Sequence, residues 1–184
     1  SDYCAGIFIC DVMGHGVRSA LVTAMVRALV DQTALAATGP GEFLGEMNRR
    51  LSALLKPAGG PMFATAAYLA VDALTRRVRY ASAGHPPALH LRRTVGEVEP
   101  LRVPPPPGPA LGLFPNAAYA TGEAPLAEGD VILLFTDGLY EVPGVDGLEE
   151  YGQERLVAAA RHYRHLPPAE LCDALIGRDR KSVV

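Results

Sequence analysis

Tryptophan is absent from this 184-residue chain, and aromatic residues make up only 7% of it. Stacked-ring platforms for single-stranded bases are therefore scarce. An excess of basic charge is also lacking: 17 basic against 20 acidic residues leave a formal charge of −3 and a pI near 5.9. That excludes the strongly basic footprint of a nucleic-acid partner. The three cysteines, Cys4, Cys10 and Cys172, are scattered and form no Cys-x-x-Cys pair. Neither a disulfide framework nor a cysteine zinc site is suggested, and a reducing, cytoplasmic setting fits best. No apolar run approaches the ~20 residues of a spanning helix, and no N-terminal segment resembles a signal peptide. No membrane contact is expected of this domain, and no internal repeat or charge block divides it.

Apolar residues are plentiful, at 49% with 20% charged and a mean hydropathy of +0.14. A chain of this length and composition buries one core, at ~100–200 residues per domain. The 19 glycines and 16 prolines predict many turns and short strands. Ser1-Asp2-Tyr3-Cys4 leads almost directly into an apolar run with no initiating Met, and is read as a cut.

Residues 5–12 read as an apolar strand ending in an acid, followed by a tight turn at Met13-Gly14-His15-Gly16. Val17, Leu21, Ala24, Met25, Ala28 and Leu29 recur at helical spacing and predict one apolar face of a helix from Val17 to about Ala37. Pro40 opens a second helix with Phe43, Leu44, Met47, Leu51, Leu54 and Leu55 on its apolar face, stopped by Pro57 and Gly59-Gly60. The period then changes: 63–72, 78–83 and 88–92 read as strands. Pro104 to Pro109 is an extended connector, with docking of a proline-recognising partner as the alternative. Residues 118–124 and 131–135 are further strands, the second wholly apolar and so expected to be central. Helices follow over 153–163 and 167–176, and Ser182-Val183-Val184 begins another strand. Strand, two helices, several strands, two helices is an α+β order, with helices layered on antiparallel sheet.

Two strands each deliver an aspartate into a glycine-bearing turn, at Asp11 and at Asp137-Gly138. Carboxylates at strand ends project from a rigid sheet, as a hard-cation site requires; a plain Asp-Gly turn is the alternative. Oxygen donors without cysteine or helically spaced histidine pairs favour Mg2+ or Mn2+ over Zn2+.

Asp11-Val12-Met13-Gly14-His15-Gly16, with Ala20-Leu21 following, resembles the D-V-x-G-H-G-x-x-x-A-L segment of bacterial metal-dependent serine phosphatases of the type 2C (PPM) superfamily, in the sporulation-stage-II-E-like, sigma-factor-regulating branch. Phe63-Ala64-Thr65-Ala66, Ala81 to Leu89 (Ala-Ser-Ala-Gly-His-Pro-Pro-Ala-Leu), Ala110 to Phe114 (Ala-Leu-Gly-Leu-Phe) and Gly129 to Glu141 follow in the family's order. The resemblance implies an αββα sandwich of two antiparallel sheets flanked by helix pairs, one PPM-type domain over 1–184, with two Mn2+ or Mg2+ ions. It implies that Asp11 bridges the ions as a catalytic carboxylate, that the Val12 carbonyl is a metal ligand, and that catalytic Asp137 binds one ion. The substrate implied is a phosphoserine on an anti-sigma-factor antagonist type of phosphoprotein, attacked by a water activated between the ions, with a regulatory sensor domain upstream.

Two departures accompany it. The family's first metal aspartate, in a Gly-Gly-Asp motif, would lie upstream of Ser1, so the domain is expected to be truncated there and inside its last strand. At the other end Asp179 stands where the family has a metal aspartate, with Arg180 replacing a second acid. Asp179 is then either the third ligand or part of a solvated tail, and a pseudophosphatase that binds partners is the alternative to an enzyme. His15 reads as a turn residue, His85 as a hydrogen-bonded loop histidine, His162 and His165 as surface residues, and Cys10 as packing.

Overall fold

The computed structural model describes residues 4–33, 39–55, 62–101, 106–141 and 151–178. In chain order its elements are β1 (Cys4–Val12), α1 (Val17–Thr33), α2 (Pro40–Leu55), β2 (Ala64–Asp72), β3 (Arg77–Ala83), β4 (Leu89–Arg92), β5 (Glu97–Pro100), β6 (Gly122–Pro125), β7 (Val131–Leu133), α3 (Gly152–Tyr163) and α4 (Pro168–Asp173). Contacts divide the chain into two compact units, one of Ser1–His85 with Val103–Leu126 and the other of Pro86–Arg102 with Ala127–Val184.

The first unit carries an antiparallel sheet in the order β1-β2-β3-β6, with β1 paired to β2 from Cys4↔Asp72 to Val12↔Ala64. Its core forms under α2, where Phe43, Leu44, Met47 and Leu51 are at most 1% exposed. Phe43 stacks on Tyr68 of β2 at 4.4 Å between ring centroids and meets Phe8 of β1 edge-on at 5.4 Å. Such aromatic pairs add specificity to the area they bury. Pro40 is the first residue of α2, where the missing N–H costs nothing.

The second unit is built on an antiparallel sheet in the order β5-β4-β7. Leu89, Leu91 and Val98 of this sheet pack with Phe135 and with Leu156, Ala159, Ala160 and Leu171 of α3 and α4. Side chains of the helical segment also tie to backbone: Arg161 Nη2 donates to the Val98 carbonyl at 3.3 Å, and Arg93 donates to the Leu166 carbonyl. His90 on β4 meets Asp130, just before β7, at 2.8 Å, and both side chains are largely buried.

The fold class is therefore α+β, two antiparallel sheets each with its own helix pair, as the sequence predicts. Among the strands, three details differ. Among the described residues the middle strand of the second sheet is β4 and not the 131–135 run: β7 ends at Leu133, and the chain then turns. Strand β5 was not anticipated, because only Val98 of Glu97-Val98-Glu99-Pro100 is buried. Residues 118–121 are not strand; Tyr119 instead donates its hydroxyl to the Pro109 carbonyl at 2.9 Å, and pairing with β3 begins at Gly122.

Candidate metal centre

Asp11 is the penultimate residue of β1, directly opposite Thr65 of β2. Opposed residues of an antiparallel pair share a face, their Cβ atoms about 5 Å apart. Thr65 Oγ1 lies 3.0 Å from Nδ1 of His85, which is 4% exposed, and the His85 carbonyl accepts from Ser82 Oγ at 3.2 Å. His85 is thus the hydrogen-bonded loop histidine expected of it. Thr65, however, was not singled out from sequence: it sits inside the quoted Phe63-Ala64-Thr65-Ala66 stretch, but only the strand register puts it beside Asp11.

Past Val12 the chain is held by Met13 N–H donating to the Phe63 carbonyl at 3.1 Å. Gly14 and Gly16 then adopt φ of +82° and +86°, a region costing an L-residue roughly 1–2 kcal/mol. Ser19 Oγ donates back to the Met13 carbonyl at 3.0 Å, and Ala20 N–H to the Gly16 carbonyl at 3.0 Å starts α1. Ser19 closes this turn, while His15 is exposed between the two glycines. Burial, reinforced by the negative charge of Asp11, pushes the Cys10 thiol up to about 12. A thiol so protonated is no nucleophile; it packs against the first core.

Asp137 opens a single 3-10 turn, Asp137–Leu139, after Thr136. The Asp137 carbonyl accepts from Tyr140 N–H at 2.9 Å and Glu141 N–H at 2.8 Å, and Phe135, 7% exposed, roots the turn in the second core. The carboxylates of Asp11 and Asp137 both belong to half-buried residues. Asp11 and Val12 belong to the first unit and Asp137 to the second; Asp179 lies outside the described residues. His162 and His165 are exposed, His162 edge-on to Tyr163 at 4.7 Å between centroids.

Among the described residues no three His, Cys, Asp or Glu side chains cluster as a metal cage. Each unit by itself offers oxygen donors next to a glycine-bearing turn, the Asp11 carboxylate and the Val12 carbonyl in the first and the Asp137 carboxylate in the second, a donor type that suits hard cations such as Mg2+ or Mn2+.

Comparison with known proteins gives the same family. RsbP of Bacillus subtilis (strain 168), named a phosphoserine phosphatase, is 33% identical over 137 residues, covering 74% of this chain and 33% of RsbP. The chain thus spans a third of that relative's length. The SiaA-PP2C domain of Pseudomonas aeruginosa superposes with a TM-score of 0.78 at 25% identity, covering 94% of this chain and 71% of that one. RsbX in complex with magnesium superposes with a TM-score of 0.65 at 21% identity, covering 98% and 78%. With residues 1–181 matching the family described as Stage II sporulation protein E (SpoIIE), and with a fold shared with PP2C phosphatase domains, this chain belongs to the SpoIIE family.

Proposed function

We propose that the chain is a single phosphatase domain that hydrolyses phosphoserine on a protein substrate with the help of two divalent cations. The observation that carries this reading is Asp11: a half-buried carboxylate at a rigid strand end, entering the Asp-Val-Met-Gly-His-Gly turn. The matched stretch of 1–181 takes in the first compact unit and all but the last three residues of the second, which supports treating them as one domain.

Asp11, the carbonyl of Val12 and Asp137 would hold the ions, with Asp179 completing the set. Bound there, Mn2+ or Mg2+ supplies a water of lowered pKa and neutralises phosphoryl charge. The protein's own part is positional: β1 and the Ser19-closed turn orient Asp11, and Phe135 roots the turn that presents Asp137. RsbX is a structural neighbour solved with magnesium, which supports the choice of ion. RsbP, named a phosphoserine phosphatase, supports phosphoserine as the substrate. An anti-sigma-factor antagonist as that substrate, a sensor domain upstream and a cytoplasmic setting complete the proposal. No helix of the described residues is long and apolar enough to cross a membrane.

In the full-length protein with added Mn2+, aryl phosphate is hydrolysed, and Asp11→Asn lowers the rate by more than about 100-fold, beyond the loss usual for outer-shell groups. Unchanged activity in that variant sinks the reading. A second reading, a partner-binding pseudophosphatase, is favoured by Arg180 beside Asp179. Calorimetry with Mn2+ separates the two: heat of binding that Asp11→Asn abolishes supports the enzyme, and no heat supports the binding module.

A further inference from the structure

Next to Asp11 the first sheet carries a short row of polar side chains on one face. Among the described residues β1 is an edge strand, so the same-face neighbours of Asp11 in the sheet are Ile9 on its own strand and Phe63, Thr65 and Ala67 across from it. Thr65, its direct register partner, is the one with a polar side chain. Alternation along the strands places Asp11 and Thr65 on the face opposite Phe8, Cys10 and Val12, which pack against the first core. Ser82 of β3 lies on the same face as Thr65, because it is the register partner of Ala67.

His85 ties this row together. After β3 the chain turns at Gly84, where φ is +67° and a Cβ would stand 3.2 Å from the Ala110 nitrogen. The turn brings His85 Nδ1 to 3.0 Å from Thr65 Oγ1, while the His85 carbonyl accepts from Ser82 Oγ at 3.2 Å. His85 is 4% and Ser82 7% exposed, so the tether is a buried one. Either partner can donate in the Thr65–His85 bond, and both ways fix Oγ1. Threonine is branched at Cβ, so fixing Oγ1 fixes the methyl as well, and with it the whole surface that Thr65 turns toward Asp11.

Stability alone does not call for this arrangement. A buried imidazole and hydroxyl cost free energy unless they are bonded, whereas valine at position 65 would have nearly the shape of threonine and suit a strand equally well. The departure from the cheaper apolar solution sits one cross-strand step from the Asp11 carboxylate, where a functional site would require it. A ligating carboxylate must be held to within about 0.5 Å of its working place, which takes neighbours whose own side chains are locked. Such neighbours set the orientation of a ligand without touching the ion.

We propose that Thr65, locked by His85, is a positioning residue that holds the Asp11 carboxylate ready for a divalent cation. This rests on the reading of Asp11 as a metal ligand of a phosphatase. The test is calorimetry of Mn2+ binding to the full-length protein, with urea unfolding and aryl phosphate hydrolysis measured beside it. Thr65→Val, which keeps the shape and removes the hydroxyl, weakens Mn2+ binding about 10- to 100-fold, whereas Thr65→Ser, which keeps the hydroxyl, stays within about threefold of the natural protein. Thr121→Val removes another threonine hydroxyl of the same unit, one that accepts from Gly41 N–H at 2.8 Å; it shifts urea unfolding and leaves Mn2+ binding unchanged. His85→Phe weakens Mn2+ binding as Thr65→Val does, and the two combined weaken it no further, since both break one bond. Unchanged Mn2+ binding in Thr65→Val, binding as weak in Thr65→Ser, or an equal loss in Thr121→Val overturns the positioning role, whether or not His85→Phe folds. Losses that multiply in the double variant overturn the part given to His85. Mn2+ binding that Thr65→Val weakens, with no aryl phosphate hydrolysis by the natural protein, overturns the phosphatase reading and leaves the role of Thr65 standing. No Mn2+ binding by the natural protein overturns both.

Discussion

Helices α1 and α2 adjoin in the chain and in the first unit, yet α2 is sunk into a core while α1 rides over a groove. Phe43, Leu44, Met47 and Leu51 of α2 are at most 1% exposed, and Asn48 between them reaches a loop. Under α1 lies a groove of about 440 Å3, bordered by Gly6, Phe8 and Cys10 of β1 and by Thr23, Val26 and Val30 of the helix. Its opposite side leaves Val17 79%, Leu21 57% and Met25 37% exposed. Apolar content alone does not seat a helix; complementarity with what lies beneath it does. In this unit α2 supplies the most completely buried helical residues of the core, while α1 adds Val22, Val26 and Leu29 at 3–7% exposed.

The largest expected effect lies in α2. Leu44→Ala opens a cavity in a close-packed region and is expected to cost about 2–5 kcal/mol in urea unfolding. Val26→Ala, on the buried face of α1 but bordering the groove, removes less apolar surface where space already exists, and is expected to cost about 1 kcal/mol. A cost for Val26→Ala equal to that of Leu44→Ala would erase the distinction between the helices. A value near zero would sharpen it further, making α1 a helix held mainly by its ends.

The same pair shows where the sequence is legible. Phe43, Leu44, Met47 and Leu51 form one stripe on α2, so periodicity finds its buried face. Around α1 apolar residues form two stripes. Val17, Leu21, Ala24, Met25 and Ala28 make one, the face that helical spacing predicts to be apolar; Ser19, Val22, Val26, Leu29 and Thr33, the residues that are buried, make another. Their centres lie roughly 140° apart at 100° per residue, and nothing local chooses between them. Only Leu29 is shared by the expected face and the buried one. Strand β1 and its acid were legible because an apolar run ending in Asp-x-x-Gly has few other readings. Strand β5 was not, because Glu97 and Glu99 face water and leave Val98 as its whole buried signal. At the candidate site the sequence exposes Asp11 and Asp137, both at motif positions. It conceals Thr65, whose place beside Asp11 comes from the register of β2 against β1.

The smallest effect is the most discriminating for α1. Leu21 belongs to the stripe that periodicity would have buried, and a charged residue at a core position desolvates and costs several kcal/mol. Leu21 is exposed, so Leu21→Glu introduces a charge into water on a helix surface and changes stability by less than about 0.5 kcal/mol. The comparison to make is with Val22→Glu, one residue on and 3% exposed, where the same carboxylate enters the buried face and unfolding shifts to markedly lower urea. Equal tolerance of the two would mean that α1 turns freely over its groove. Intolerance at Leu21 alone would mean that the other stripe is the buried one. Tolerance at Leu21 with intolerance at Val22 fixes the helix in the orientation described, with its apolar stripe of Val17, Leu21 and Met25 facing water.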